Sequence, residues 1–180
     1  MREKRASSYE KRAEKPFYIG KIKYLESGAE IKGAYKEIAK QNEKAADILC
    51  EQGCHNEAAY LYIQAMEKYT KAKICEKVNI TLPYFSERLR EIGHSVDKSI
   101  DFLIEIYAGG NEMMKNHITT LINETILHSI RFGLLHNRLR YPETNRSGEY
   151  IFLSAGATDC AELKKMLTNL IKCLNDIDKL

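Results

Sequence analysis

Residues 58–75, AAYLYIQAMEKYTKAKIC, decide the fold of this chain. Apolar side chains recur in this stretch on more than one helical face, a pattern typical of a helix that is covered from two sides. A helix of this kind lies at the centre of a bundle, with other helices packed around it. The stretch therefore predicts the central helix of an all-α protein.

Helical spacing of apolar residues continues on both sides of this stretch. One helix is expected to begin near Ala29 and to end at Gly53, where a left-handed backbone is common. Asn56 is the expected N-cap of the central helix. A third helix is expected from about Tyr84 to Tyr107, with a weak point at Gly93 and with Ala108-Gly109-Gly110 ending it.

Two further helices complete the predicted bundle. Asn111 is the expected cap of a fourth helix that continues into residues 131–142. A loop with a strand-like clip near residues 150–153 follows, and Asp159 with Glu162 forms a capping-box pattern before the last helix. The sequence thus predicts an antiparallel bundle of four to five helices.

Length and composition agree with one globular domain. The chain has 180 residues, of which 44% are hydrophobic and 29% charged. Its excess charge of +3 resides in residues 1–15, which hold six Lys or Arg and three Glu. We expect residues 1–20 to form a flexible basic arm and residues 21–180 to form a single helical domain. Because no apolar run approaches the roughly 20 residues needed to cross a bilayer, we expect a cytoplasmic protein without membrane contact.

The five cysteines predict reduced thiols that act as small core residues, since their number is odd and they are scattered along the chain. Cys50, Cys54 and His55 have the spacing of half a metal site. No second pair of ligands nearby in the sequence completes a set of four. The sequence therefore predicts neither a metal nor another cofactor.

Basic side chains are concentrated in residues 131–142, RFGLLHNRLRYP. Arg131, His136, Arg138 and Arg140 lie there among apolar residues. A guanidinium neutralises a phosphate, and an imidazole exchanges protons near pH 7, so these residues suit a phosphate-handling site. The alternative is a helix C-terminus whose basic residues complement the helix dipole.

Three other histidines have both a functional and a structural interpretation. His94 stands at a helix start with Asp97 one turn later, an arrangement that fits either an accessory site or a structural role. His117 and His128 are 11 residues apart and so fall almost on one helical face. They either extend a polar strip towards Arg131 or are buried or rim histidines.

Residues 45–70 resemble a single tetratricopeptide unit, because small residues stand where two helices cross and Gly53 occupies the turn. Such units need stacked neighbours, and no second copy follows at the 34-residue period. A solenoid is therefore not expected.

A broader resemblance covers roughly residues 45–180. Residues 58–75 resemble the second long helix of HEPN domains, and residues 92–98, IGHSVDK, look like a helix start of that family. Arg131 and His136 are similar to the family's Arg-x(4–6)-His signature. Arg140-Tyr141-Pro142, a loop and a C-terminal helix follow in the family's order.

The resemblance implies a helical bundle that pairs as a homodimer, with Arg131 and His136 of both subunits facing one cleft. It also implies a metal-independent endoribonuclease of the toxin or defence type. In that role His136 is the general acid/base and Arg131 stabilises phosphorane-like charge. RNA would then contact Arg138, Arg140 and His128, with a small nucleotidyltransferase antitoxin as a partner.

A second interpretation keeps the fold without catalysis. Phe132 stands where active members usually have a polar residue, and five residues of unbroken helix place Arg131 and His136 about 140° apart. The protein is then a helical interaction module, or a nucleotide- or RNA-binding module, that works with a nucleotidyltransferase partner. The sequence leaves open whether the protein is an enzyme.

Overall fold

The computed structural model describes residues 23–128 and 130–179. Within them the chain forms seven α-helices: α1 (Gly28–Glu51), α2 (His55–Lys77), α3 (Pro83–Ile92), α4 (Val96–Ala108), α5 (Glu112–Ile122), α6 (Phe132–Arg138) and α7 (Ala157–Asp176). A π-helical turn, Asn123–Leu127, follows α5, and a 3-10 turn, Ile177–Lys179, follows α7. The predicted basic arm lies outside the described residues.

Helix α2 is the centre of the bundle, as its apolar density predicts. It packs most extensively against α1 and also against α4, α6 and α7. Most of its residues from Ala58 to Cys75 are buried, including the side chains of Tyr62, Ile63 and Met66. The prediction of an all-α helical bundle is confirmed. None of the described helices is both long and apolar enough to cross a bilayer.

The expected third helix is in fact two helices, α3 and α4. Gly93 separates them with a backbone φ of 59° and ψ of −127°, which is strained for any residue with a side chain. Ser95 then caps α4 by accepting a hydrogen bond from the backbone N–H of Lys98. The end of α4 is as predicted, with Gly109 in the left-handed conformation.

The expected continuous fourth helix is also wrong. Asn111 caps α5 as predicted, accepting from the N–H groups of Met113 and Met114. However, α5 gives way to the π-helical turn at Asn123, and His128 adopts a left-handed conformation with φ of 45°. The chain therefore changes direction before α6 begins at Phe132, whose side chain is fully buried.

Two predicted caps differ from the structure by one turn or less. Asn56 lies inside the first turn of α2, where its amide bonds the backbone of Leu139, Leu153 and Ala155 instead of capping the helix. Asp159 is the third residue of α7 and accepts from the N–H of Gly156. Helix α7 thus begins three residues earlier than its capping-box pattern indicates.

The loop before α7 contains a minimal antiparallel ribbon. Strands β1 (Glu143–Thr144) and β2 (Tyr150–Ile151) pair Glu143 with Ile151 and Thr144 with Tyr150. The predicted strand-like clip is present, although it is only two residues long. Asn56 fixes this loop to the first turn of α2 through the contacts given above.

Candidate functional site

Five planar side chains form a row of contacts at the side of α2. The rings of His94 and His136 are nearly parallel, at 4° and with centroids 5.9 Å apart. The ring of Tyr60 lies 5.2 Å from that of His136 and is tilted from it by 50°. The Arg140 guanidinium lies 5.0 Å from the ring centres of both Tyr60 and Tyr141. We call this set the planar row: His94, His136, Tyr60, Arg140 and Tyr141.

The planar row is accessible at three of its members, His94, Arg140 and Tyr141. The side chain of His94 is 70% exposed and Tyr141 is 54% exposed, whereas Tyr60 and His136 in the middle are half-buried. Arg131, Arg138 and Arg140 are all exposed at or near α6. The surface therefore combines planar groups with fixed positive charge.

Asp97 holds the start of α6, and thereby His136, in place. Its carboxylate accepts hydrogen bonds from the backbone N–H of Gly133 at 2.7 Å and of Phe132 at 3.3 Å. A Cβ atom at position 133 would lie only 3.2 Å from Asp97 Oδ2, so this close approach favours glycine. Asp97 thus acts from α4 on the N-terminus of α6, where an anion is favoured.

A buried charge cluster on α2 positions His94. Glu67 is 1% exposed, and its carboxylate lies 2.7 Å from Lys71 Nζ, 2.8 Å from Lys68 Nζ and 3.5 Å from His94 Nδ1. Lys71 also donates to the backbone carbonyl of Gly93 at 2.5 Å. Lys71 and Glu67 of α2 therefore fix the α3–α4 turn, which carries His94.

The charge state of Glu67 follows from two opposing effects. Burial disfavours the carboxylate and raises the pKa of Glu67, but the contacts with the Lys68 and Lys71 ammonium groups lower the pKa by more than burial raises it. The net pKa is below the ordinary carboxyl value. Glu67 is therefore ionised at neutral pH and offers a carboxylate to the His94 ring.

His136 presents one nitrogen to the surface side of the fold and one to its interior. Nδ1 lies 3.3 Å from the Asn137 side-chain oxygen, whereas Nε2 is buried without a hydrogen-bond partner among the described residues. A general acid or base must reach the proton that it transfers. The buried position of Nε2 therefore favours binding over catalysis by this ring in the single chain.

The other predicted site residues are dispersed. Arg131 is exposed at the residue before α6, while His136 faces α2 and the α3–α4 turn. Arg138 forms an ion pair with Glu143 at 2.9 Å. His94 has Glu67 as its carboxylate neighbour, not Asp97, which is engaged with α6.

His128 belongs to a different part of the surface. It lines a cavity of about 560 Å³ between the π-helical turn and α7, together with Lys165, Asn169 and Lys172. His117 is exposed on α5, so neither histidine is a buried core residue. Because α5 ends at Ile122, the continuous helical face expected to join His117 to His128 and Arg131 does not form.

Tyr60 and Glu67 were not identified as site residues from the sequence. Tyr60 lies within the apolar pattern of residues 58–75, and Glu67 belongs to the stretch that resembles a HEPN helix. A signal was nevertheless present: Gln64, Glu67 and Lys71 are polar residues three and four positions apart on an otherwise apolar helix. All three are buried, so they mark a polar strip inside the bundle.

The chain matches no protein-family model, no curated protein and no solved structure with which it was compared.

Proposed function

We propose that this chain is a HEPN-like RNA-binding module whose planar row stacks against the bases of a single-stranded segment. The observation that supports this most strongly is the row itself, with its exposed ends at His94 and Tyr141. Successive bases of single-stranded RNA stack on aromatic rings and on guanidinium planes. The sequence resemblance and the charge of Arg140 within the row support the same assignment.

Phosphate contacts would come from the arginines around the row. A guanidinium offers several donors to phosphate oxygens and keeps its charge throughout the physiological pH range. The Arg140 guanidinium lies over the rings of both Tyr60 and Tyr141, so it contributes charge as well as a planar group to the row. Affinity should accordingly fall with rising salt, as it does for contacts that displace counterions from RNA.

Fluorescence polarisation with a labelled single-stranded RNA tests this proposal. We expect Arg140→Gln to weaken binding by about 5- to 150-fold, the range for loss of one stacking contact. Arg146→Gln is the matched control, since it removes the same charge from the exposed loop between β1 and β2. Equal affinities of the two variants, or no binding by the wild type, would refute the proposal.

RNA cleavage is a second candidate, favoured by the ordered set Glu67, His94 and His136. A carboxylate that holds one nitrogen of an exposed imidazole leaves the other nitrogen available for proton transfer. In this candidate His136 acts with Arg131 as the resemblance implies, and His94 assists. Formation of a homodimer would bring the two copies of Arg131 to one cleft, and light scattering reports the dimer.

A cleavage assay separates the two candidates. An active ribonuclease should lose at least about 100-fold in rate when His136 or His94 is replaced by Ala, the usual contribution of a general acid or base. His117→Ala, on the exposed face of α5, is the control. The catalytic candidate is excluded if the protein binds RNA without cleaving it, or if all variants cleave equally. The binding module that works with a nucleotidyltransferase partner is then the remaining candidate.

A further inference from the structure

We propose that Cys50, His55 and Cys160 bind a zinc ion. The two sulfur atoms and one ring nitrogen of His55 all lie within 4.8 Å of one another. Cys160 Sγ is 3.9 Å from His55 Nδ1. This cluster lies apart from the planar row, so the inference does not depend on the proposed RNA binding.

Three separate helix ends bring these ligands together. Cys50 is in the last turn of α1, His55 is the first residue of α2, and Cys160 is in the first turn of α7. The sequence showed only the first two, because Cys160 lies 105 residues beyond His55. The fold therefore supplies the third ligand that the local spacing lacked.

The distances suit zinc after a small contraction. Zinc binds thiolate sulfur at about 2.3 Å and imidazole nitrogen at about 2.0–2.1 Å, so tetrahedral ligand atoms lie about 3.5–3.8 Å apart. Movement of each side chain by less than about 1 Å meets this requirement. Two thiolates and an imidazole are soft to borderline donors, which zinc prefers over the oxygen ligands chosen by magnesium and calcium.

The fourth position is open to a small molecule. A cavity of about 200 Å³ adjoins the two cysteines and is also lined by Asp47 and Lys164. Asp47 already accepts from the Tyr62 hydroxyl at 2.6 Å and pairs with Lys164 at 2.8 Å. A water molecule is thus the expected fourth ligand, as in zinc sites with three protein ligands.

Binding would form two zinc–sulfur bonds and one zinc–nitrogen bond. Both thiols must lose their protons, so two protons pass to the buffer for each ion bound. The ion would then join the ends of α1, α2 and α7. Because it binds the folded chain and not an equivalent preformed site in the unfolded chain, it should stabilise the fold.

Cobalt titration of the reduced protein is the first test. We expect one Co²⁺ per chain, a thiolate-to-cobalt charge-transfer band in the near ultraviolet and intense tetrahedral d–d bands in the visible range. Zinc should displace the cobalt and abolish these bands. Absence of the charge-transfer band in the reduced wild type would refute the proposal.

Three variants assign the ligands. Cys50→Ser and His55→Gln should each weaken cobalt binding by at least about 10-fold, since even loss of a residue that supports a ligand costs that much. Both positions are half-buried, so we expect these variants to fold, as circular dichroism will show. Cys54→Ser is the matched control: it changes an exposed thiol next to His55 and should bind as the wild type does.

Thermal unfolding gives an independent readout. Zinc at a free concentration 100-fold above its Kd should raise Tm by about 5–10 °C in the wild type and in Cys54→Ser. The same addition should raise the Tm of Cys50→Ser by no more than about half as much, because its Kd is at least about 10-fold higher. An equal rise in all three proteins, or a disulfide between Cys50 and Cys160 that persists in reductant and blocks the metal, would contradict the zinc site.

Discussion

The Asp97 carboxylate on α4 accepts a 2.7 Å hydrogen bond from the backbone N–H of Gly133 at the start of α6. This bond joins the turn that carries His94 to the helix that carries His136. The two imidazoles stack because both of their backbone segments are fixed by side chains distant in sequence: Asp97 fixes one and Lys71 the other.

Asp97→Ala should lower the free energy of unfolding by about 1–2 kcal/mol, the usual effect of removing a helix-capping side chain. Two backbone N–H groups lose their acceptor in this variant, and α6 loses its attachment to α4. Urea denaturation measures the change. The same variant should weaken RNA binding, because His136 loses its support.

Asp101→Ala is the control for charge on the same helix. Burial, together with the nearby charges of Asp97 and Glu105, raises the pKa of Asp101, so its negative charge is unfavourable in the fold. This variant should be at least as stable as the wild type. If Asp97→Ala is no less stable than Asp101→Ala, Asp97 does not cap α6.

Glu67→Met or Lys71→Met alone should destabilise the protein by about 3–5 kcal/mol, because each leaves a buried charge without its partner. The double variant should lose less than the sum, with a coupling energy of about 1–3 kcal/mol. A double-mutant cycle by denaturant titration measures this coupling. Strict additivity would show that the 2.7 Å pair does not act as a unit.

Gly93→Ala should destabilise the fold by about 1–3 kcal/mol, since a φ of 59° with ψ of −127° is unfavourable for a residue with a Cβ atom. Space is not the cause, because no atom lies within 4 Å of the added Cβ. Gly33→Ala, inside the exposed face of α1, should instead stabilise by about 0.5–1 kcal/mol. Thermal or urea unfolding of the pair distinguishes backbone strain from a general effect of glycine replacement.

The Tm should fall at acid pH, because a network of ion pairs at the 3-10 turn after α7 depends on ionised carboxylates. Asp178 accepts from Lys73 at 2.6 Å and from the Tyr107 hydroxyl at 2.5 Å, and it also pairs with Lys77. These contacts hold the pKa of Asp178 well below its usual range, and hydrogen bonds from Lys32 and Lys73 lower the pKa of Glu76 to about 2.

The sign of the effect follows from these lowered values. A carboxyl group with a lower pKa in the folded state stabilises the fold fully above its unfolded pKa, and this contribution is lost as pH falls through the folded value. Tm should therefore drop between about pH 4.5 and pH 2. Asp178→Asn should have a lower Tm at pH 7 and a shallower drop. If the Tm of the wild type and that of Asp178→Asn fall in parallel as the pH is lowered, Asp178 has no role in this effect.

The central helix was predictable because its signal is local and dense. Ala58 to Cys75 carries apolar residues on more than one face, and such a helix has no stable position except the middle of a bundle. Gly53, Gly109 and Asn111 marked helix ends for equally local reasons, since each is a residue type with a strong positional preference.

The break between α5 and α6 was not predictable in this way. Residues 123–131 contain neither Gly nor Pro, so nothing local interrupts the helical pattern. The interruption is favoured by contacts between residues distant in sequence. Phe132 is buried in the core, and the Asp97 carboxylate accepts hydrogen bonds from the first backbone N–H groups of α6. The candidate site depends on this break, because it directs His136 towards Tyr60 and His94.

The charge partner of His94 was missed for the same reason. Asp97 is its neighbour in sequence, but the carboxylate beside its ring belongs to Glu67, 27 positions earlier on α2. Sequence spacing identifies contacts within one helix and does not identify contacts between helices. His94 and His136 were therefore identified individually, and their stacking required the structure.

Proton NMR of the histidine rings tests the central claim most directly. The protein has five histidines, and replacing His94 and His136 one at a time assigns their ring signals. On addition of a short single-stranded RNA, the ring signals of the exposed His94 should move upfield as a base stacks on that end of the planar row, while those of the exposed His117 should stay in place. If the RNA binds saturably but the ring signals of His94 do not move, the account is contradicted.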